Sequence, residues 1–360
     1  MKKNEVQELR KLYKSKDDIS VRFISYGYVN ADREILCADR KRFLSMDDDG
    51  QFKYLDIIKK GMSGTVGKNI CTMDMPDSDQ KRMLLSMVAD DMENKELVLN
   101  FCQMLGKTYP ECGNLLIILI TNTYDIPFRG KDGQKNVEAS EEVYSFIQGF
   151  VCPVTLENPG LFYNEGRTAF EKKDTRWCVD APIGSFLYPS FEDRSQDNGK
   201  ITIFSRKADG PLVDMLQNLF SLGKTHGYEE QCELVQQVIK TAVNDRDDKI
   251  MAVRAIQQNI NEKIKEKDNG DLTKQDISNI LSETGIESKN VQEAVDLLDD
   301  SYENISEVAA KKKDIQIKTP DICVKIKADC KAAVETRMIE GKECLLIELG
   351  DENTVEVNMV

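Results

Sequence analysis

Histidine is almost absent from this sequence, and its cysteines are never closely paired. The 360 residues include one histidine, His226, and ten cysteines with no Cys-x-x-Cys spacing. A Ser-His-Asp or Cys-His catalytic site would have to use His226, which lies in the loop-like stretch Gly-Lys-Thr-His-Gly without a supporting motif. The sequence therefore disfavours zinc ribbons, thioredoxin-like redox sites and transition-metal sites, and we predict no cofactor. Carboxylate-bound magnesium stays open because it needs only oxygen ligands.

Long apolar runs are also missing. The longest aliphatic run covers residues 115–120, whereas a membrane-spanning helix needs about 20 apolar residues. No apolar stretch follows the first residues, so we expect neither a secretory signal nor a membrane span. Several cysteines, such as Cys152 and Cys344, lie inside short apolar runs, which is typical of buried free thiols in a reducing compartment. We therefore predict a cytoplasmic protein with ten free thiols.

Positive charge is dispersed and is outnumbered by negative charge. The chain has 63 acidic and 49 basic side chains, a net charge of −14, and the triple lysine 311–313 is only a short basic run. Proteins that bind duplex DNA through its phosphates usually present a basic face, which this composition disfavours. We interpret the lysine run as a solvated linker.

The apolar patterning predicts an α+β protein with three parts. Residues 1–210 form a mixed β-sheet domain with flanking helices, residues 211–310 an acidic helical segment, and residues 311–360 a small β-rich unit. Within the helical segment, residues 272–304 form a helix–turn–helix unit, with Thr273 as N-cap and Gly285 as a left-handed C-cap. The negative charge of this segment makes it a candidate docking surface for another protein.

The pattern also predicts the individual elements. The predicted helices cover residues 2–14, 50–60, 79–105, 212–222, 229–243, 247–267, 274–283 and 290–302. The predicted strands cover residues 19–29, 35–38, 115–121, 143–154, 177–188, 201–205, 315–317, 322–326, 334–339, 344–347 and 355–357. Glu340 and Gly341 form the predicted turn of a hairpin.

A glycine-rich stretch after the second helix resembles a phosphate-binding loop. It lacks the Walker spacing, but its amides and polar side chains could form an anion-binding nest. The candidate anion-binding residues are Ser63, Gly64, Thr65, Gly67, Lys68 and Asn69. The simpler interpretation, which we favour, is a helix stop followed by a tight turn.

Two further polar segments combine carboxylates with an arginine. Asp193, Arg194, Ser195 and Asp197 lie in a long predicted connection between strands, and Asp125 follows a buried strand. Carboxylates brought together from both segments could hold a magnesium ion. The alternative, which we favour, is that these side chains cap their own turns.

The chain resembles a bacterial family of domains of unknown function, number 4317, over nearly its whole length. The matching stretches are residues 63–69, 124–127, 142–144, 152–154, 159–160, 186–189 with Phe191, 193–195 with Asp197, 318–321, and 334–337 with Ile339 and Gly341. Glu340 and Lys342 stand where the family more usually has Asp and Arg. The family carries no established activity, so the resemblance implies a bacterial, cytosolic protein and supplies no catalytic residues.

Three functions stay in competition. The leading hypothesis is a non-enzymatic binding or scaffolding protein. The second is a phosphate-ester or nucleotide enzyme in which the carboxylates hold magnesium and Lys68 binds the phosphate. The third is a nucleic-acid-associated protein, because the order of elements is similar to that of nucleoid-associated proteins, although no motif is shared.

The glycine-rich loop gives a test that separates an anion site from a helix stop. If the loop binds phosphate, Lys68→Ala should weaken phosphate or nucleotide binding and leave the melting temperature unchanged, because an exposed lysine contributes little to stability. If the loop is a helix stop, Gly64→Ala or Gly67→Ala should lower the melting temperature through strain at a positive φ, while Lys68→Ala changes nothing. Wild-type protein that binds no phosphate compound at millimolar concentration would exclude the anion site.

Overall fold

The computed structural model shows an α+β fold whose contacts divide the chain into two units, Met1–Lys224 and Thr225–Val360. The structure describes residues 1–14, 21–109, 111, 113–129, 135–206, 210–223, 227–243, 245–265, 270–298, 304–310, 314–318, 322–327 and 334–347. His226 and the triple lysine 311–313 lie outside these residues. No helix among the described residues is long and apolar enough to cross a membrane.

The first unit is built on one large antiparallel sheet with helices on both faces. Its helices are α1 (Lys3–Lys11), α2 (Asp48–Gly61), α3 (Asp79–Ala89), α4 (Lys95–Thr108) and α5 (Pro211–Phe220). Its strands are β1 (Val21–Val29), β2 (Ile35–Arg42), β3 (Ile70–Asp74), β4 (Asn114–Arg129), β5 (Lys135–Leu156), β6 (Leu161–Asn164), β7 (Ala169–Lys172), β8 (Trp177–Val179), β9 (Gly184–Tyr188), β10 (Ser190–Glu192), β11 (Ser195–Asp197) and β12 (Lys200–Ser205). The order across the sheet is β2-β1-β4-β5-β9-β12-β3, and β8 pairs with the end of β5.

The aliphatic run in β4 explains why both faces of the sheet are covered. Successive side chains of a strand point to opposite faces. Ile117 and Leu119 pack into a core with α3, α4 and α5, whereas Ile118 and Ile120 pack into a second core with α1 and α2. A strand that is apolar on both sides needs a layer of helices on each side, which gives three layers.

The prediction of one helix over residues 79–105 is wrong, because the chain forms α3 and α4 with a turn between them. Asp91 and Met92 adopt left-handed conformations, and the Asp90 carboxylate accepts hydrogen bonds from the amides of Met92 and Asn94. Asn94 then caps α4 by accepting from the Leu97 amide. These local side-chain hydrogen bonds compete with the helix and interrupt it.

The central strands are longer than the sequence pattern predicts. β4 continues to Arg129, so the predicted polar loop after residue 121 is part of a strand, paired with β5 as far as Arg129 opposite Lys135. In β4 this extension follows an alternation that the polar residues conceal, since Tyr124 and Ile126 lie on the face covered by α1 and the intervening Asp125 is exposed. The predicted strand over residues 177–188 is instead two strands, β8 and β9, with different partners.

The composition change at Pro211 does not coincide with the division between units. Leu212, Leu216 and Phe220 of α5 are buried in the core shared with α3 and α4. The division by contacts falls after Lys224. The three-part division at residues 210 and 310 stays a prediction about folding units.

The second unit contains a helical core of its own. Its helices are α6 (Tyr228–Ala242), α7 (Arg246–Lys265), α8 (Lys274–Glu283), α9 (Ser288–Val295) and α10 (Glu307–Ala310), and the short strands β13 (Leu272–Thr273) and β14 (Asn304–Ile305) pair with each other. Thr273 caps α8 and Gly285 has φ +80°, as the pattern predicts. The helix predicted to reach residue 302 ends at Val295. Backbone hydrogen bonds from the amides of Leu297 and Leu298 to carbonyl oxygens three residues earlier form a turn after it, and Leu298 is buried.

Two hairpins follow the helical core. They consist of β15 (Asp314–Lys318) with β16 (Cys323–Lys327) and β17 (Val334–Ile339) with β18 (Lys342–Ile347). Glu340 and Gly341 both adopt positive φ, which confirms the predicted two-residue turn. The strand predicted at residues 355–357 lies outside the described residues.

Candidate functional site

The predicted polar connection at residues 193–197 is a tight hairpin rather than a long loop. Asp193 and Arg194 both have positive φ, 47° and 60°, and form the two-residue turn between β10 and β11. Ser195 lies opposite Glu192, and its hydroxyl donates to the Glu192 carbonyl oxygen at 3.2 Å. Because the turn is so short, the position of each of its side chains is fixed by the strands on either side.

Arg194 joins this hairpin to α1. Its guanidinium donates to Glu8 Oε1 at 3.3 Å and to the Pro127 carbonyl oxygen at 2.8 Å. The Tyr124 hydroxyl donates to the same Glu8 oxygen at 2.7 Å. Glu8 is buried, so two donors partly replace the water that its carboxylate has lost. We call Glu5, Glu8, Tyr124 and Arg194 the α1 clamp.

Glu5 is the second buried carboxylate of the α1 clamp. It accepts hydrogen bonds from the backbone amides of Lys2, at 2.5 Å, and Arg194, at 3.3 Å. Burial nevertheless raises the pKa of Glu5 above its ordinary value of 4.5. Burial, followed by the hydrogen bond to the Glu8 carboxylate, raises the pKa of the Tyr124 hydroxyl. The tyrosine is thus held protonated as a hydrogen-bond donor.

The remaining charged residues of the hairpin also make contacts within the chain. Asp193 pairs with the Lys2 ammonium at 2.8 Å on the surface. Asp197 Oδ1 accepts from the Gly199 amide at 2.8 Å. Glu192 binds Lys200 at 2.7 Å and also the N-terminal ammonium; although burial opposes it, these partners lower the pKa of Glu192. Of these contacts, that of Asp197 with the Gly199 amide lies within its own turn, whereas Asp193 and Glu192 also bind the N-terminal residues of the chain.

Asp125 does not join these residues. Tyr124 lies on the face of β4 that meets α1, so Asp125, one residue later, points to the opposite face and is exposed. Among the residues that the structure describes, no group of three or more His, Cys, Asp or Glu side chains could hold a metal ion. The structure therefore does not bring Asp125, Asp193 and Asp197 together as a magnesium site.

The glycine-rich loop is a turn whose amides are used internally. The Thr65 carbonyl oxygen accepts from the amides of Lys68, Asn69 and Ile70 at 2.9–3.1 Å, and the Gly67 amide donates to the Ile70 carbonyl oxygen at 3.0 Å. The Ser63 amide donates to Lys60, closing α2. An anion nest needs amides directed at a shared ligand. The amides of residues 67–70 are instead directed at the carbonyl oxygens of Thr65 and Ile70.

Other contacts anchor the same loop. Gly64 and Gly67 have φ values of +125° and +78°, which L side chains rarely adopt, so the turn that follows α2 favours glycine at both positions. Asn69 Nδ2 donates to the Arg206 carbonyl oxygen at 3.1 Å, and Arg10 on α1 donates to the carbonyl oxygens of Met62 and Gly64. The loop thus binds α1 through its carbonyl oxygens, which attract cations rather than anions.

Helix α1 is the element that the search for motifs missed. It contacts the Asp193–Arg194 turn through Glu5 and Glu8, and the glycine-rich loop through Arg10. A signal was present in the sequence, because Glu5 and Glu8 share one helical face with the apolar Val6 and Leu9. Two carboxylates on the buried side of a short helix predict a buried basic partner.

Three cysteines have thiols whose reactivity is lowered by burial. Cys37, Cys71, Cys102, Cys152, Cys178, Cys232, Cys323 and Cys344 are free, and Cys112 and Cys330 lie outside the described residues. Burial raises the pKa of Cys71 to about 11 and the pKa values of Cys102 and Cys152 to about 12. These buried thiols are protonated at neutral pH and act as apolar core groups.

A second feature that the sequence did not reveal is a β-ribbon that projects beyond the sheet. The end of β5 pairs with β8, and the ribbon continues as β6 paired with β7. Hydrogen bonds from Glu157 to Arg176 and from Lys173 to Gly160 join the two pairings in one unbroken register. We call residues 154–179, which form this ribbon, the arm.

The arm carries a concentration of exposed apolar side chains. They are Leu156, Leu161, Phe162, Tyr163, Phe170, Trp177 and Val179. Leu161, Tyr163 and Phe170 share one face, the outer patch, where the Tyr163 and Phe170 rings lie opposite each other with centroids 5.4 Å apart. Leu156, Trp177 and Val179 share a face nearer the sheet, the base patch. Phe170 is 72% exposed and Leu161 is 73% exposed.

Removal of the arginine from the α1 clamp should destabilise the first unit. Arg194→Met removes the arginine that forms an ion pair with the buried Glu8 carboxylate, and we expect the free energy of unfolding to fall by about 3 kcal/mol, as when one partner of a buried ion pair is removed. The matched control is Arg167→Met, which removes the exposed pair with Glu171 and should cost less than about 1 kcal/mol. Urea unfolding of the full chain, followed by circular dichroism, measures both. Equal losses would mean that the clamp does not hold α1.

The buried carboxylate of Glu5 gives a pH-dependent prediction. Because its folded-state pKa is raised, its stabilising contribution is present below pH 4.5 and is lost as pH rises through that raised pKa. Glu5→Gln cannot release this proton. The melting temperature of the variant minus that of wild type should therefore increase between about pH 4 and about pH 7. A difference that is constant or decreases over this range would contradict the assignment.

Comparison with known proteins adds the family. The search of curated proteins gave no match. The family model described as "Domain of unknown function (DUF4317)" matches residues 1–360. This agrees with the resemblance carried by the dispersed motifs, several of which lie in the glycine-rich loop, β4 and the β10–β11 hairpin. Because the match covers the whole chain, the protein belongs to the DUF4317 family.

Proposed function

We propose that this protein is a non-enzymatic binding or scaffolding protein of the bacterial cytosol, and that its binding surface is the arm. The observation that carries this proposal is the concentration of exposed aromatic and aliphatic side chains on residues 154–179. Aromatic residues are enriched at the centres of protein interfaces, where a few of them supply most of the binding energy. Trp177, the single tryptophan of the chain, is 58% exposed there.

The area of the arm supports a protein partner. At about 200 Å² for each aromatic side chain, the four aromatic residues of the arm, a little over half exposed on average, present about 450 Å² of apolar surface, divided between the two faces of the ribbon. The three aliphatic residues add to this area. The largest apolar patch on a typical monomer is about 300–600 Å² and is often functional.

The contacts made by the candidate substrate-binding groups support the same proposal. Arg194, Glu8 and Glu5 hold α1, and the amides of the glycine-rich loop close a turn. An enzyme that binds a phosphate ester needs cationic or amide donors directed at the substrate. Here the arginine and the loop amides are directed at groups of the chain itself, which favours binding over catalysis.

The helical part of the second unit offers a further docking surface. Residues 229–314 carry 20 acidic and 12 basic side chains, so they account for −8 of the net charge of −14. Such a surface favours a basic protein partner over a nucleic acid. Exposed Met251 on α7 adds an apolar contact to it.

Photo-crosslinking in the native host tests whether the arm is a binding surface. Replacement of Phe170 by photoreactive benzoylphenylalanine should give crosslinked products larger than the chain, because the ring lies in the proposed interface. Phe52 on α2 is the matched control, since it is also a phenylalanine and is 67% exposed. Irradiation at position 52 should give few products. Equal yields at the two positions would contradict the proposal.

A further inference from the structure

We infer that the arm binds the arm of a second copy of this chain, so that the protein is a homodimer. This inference rests on the proposed function, because it names the partner of the same surface. The outer patch packs against the outer patch of the other copy about a twofold axis. In a twofold interface the same surface of each copy forms both sides of the contact, so that surface must be complementary to itself.

The charge of the arm favours an identical partner. Residues 154–179 contain four acidic and four basic side chains, so the arm is neutral, whereas the whole chain carries −14. Two copies repel each other through their net charge, and a neutral region is where they can approach. A basic or acidic partner would favour an arm of opposite charge.

The charged side chains of the arm also suit a twofold contact. Arg167 and Glu171 form an ion pair at 2.9 Å, and Lys173 pairs with Glu157 at 3.0 Å. Both signs therefore lie beside the apolar patches along the whole ribbon. At a twofold contact, any acidic side chain of one arm that meets a basic side chain of the other does so twice, in reciprocal pairs.

The pairing of the arm supports association through its outer part. Within the described residues, β6 pairs only with β7 and β7 only with β6. An isolated two-stranded ribbon is marginally stable in water, and three or more strands with an apolar face are needed for independent stability. Two arms packed through their outer patches provide four strands and bury Leu161, Tyr163 and Phe170 of each copy.

The two rings of the outer patch supply about half of the apolar area that a standard dimer interface takes from each partner. A standard interface takes about 800 Å² from each partner, and about two thirds of it is apolar in homodimers. This corresponds to about 500 Å² of apolar surface from each arm. The two rings of the outer patch, Tyr163 at 50% and Phe170 at 72% exposure, supply about 240 Å² of this, and Leu161 adds to it.

Light scattering after size-exclusion chromatography tests the inference on the full chain. Wild-type protein in the micromolar range should have twice the 40.9 kDa mass of one chain. Phe170→Glu places a charge in the outer patch and should give the mass of one chain, and so should Leu161→Glu. The matched control Phe52→Glu should keep the mass of two chains. Circular dichroism shows whether each variant is folded.

The outcomes separate this inference from the proposed function. The crosslinked product at position 170 should yield peptides of this chain alone. A wild-type monomer that crosslinks at position 170 to a different protein overturns the dimer and leaves the binding function standing. A wild-type monomer that crosslinks equally at positions 170 and 52 overturns both. A dimer that survives Phe170→Glu and Leu161→Glu overturns the arm as its interface.

Discussion

The burial of β4 on both faces is the constraint on which the first unit depends. Ile117 to Ile120 alternate between two cores, so neither face of the sheet can be left to solvent. Helices α3, α4 and α5 cover one face through apolar contacts. The opposite face is covered by α1 and α2, and α1 is short. Its nine residues cannot form a stable helix alone, so tertiary contacts must hold it in place.

Those contacts account for most of the polar chemistry of the first unit. Glu5 and Glu8 are buried beneath α1, and each accepts a hydrogen bond from Arg194 of the Asp193–Arg194 turn. Tyr124 on β4 also donates to Glu8. Arg10 binds the carbonyl oxygens at the end of α2. Residues that look catalytic in the sequence therefore serve to attach one helix. Burial of carboxylates is costly, and a fold that accepts this cost gains a fixed position for the helix in return.

The sequence was a good guide where burial sets the pattern and a poor one where pairing or long-range contacts do. The α+β class, the ends of α8, the Thr273 cap and the Glu340–Gly341 turn followed from local rules. The break between α3 and α4 depended on Asp90 turning its carboxylate to the backbone, which helical periodicity does not reveal. The partners of Glu8 lie more than 100 residues away in sequence, so no local spacing could predict them. The arm was missed because its apolar residues are exposed, whereas apolar patterns are interpreted as burial.

The unbroken register of the arm restricts how its length can change during evolution. Pairing is fixed at the base, where Leu156 lies opposite Trp177, and again near the tip, where Tyr163 lies opposite Phe170. Insertion of one residue into one strand would turn every side chain beyond it to the other face of the ribbon. Insertion of two residues into one strand, together with two residues at the opposing position of the other strand, would preserve both patches. In homologous proteins, each strand of the arm should therefore differ in length by multiples of two residues. Insertions of other lengths can occur in the turn at residues 165–168 without disturbing the apolar faces.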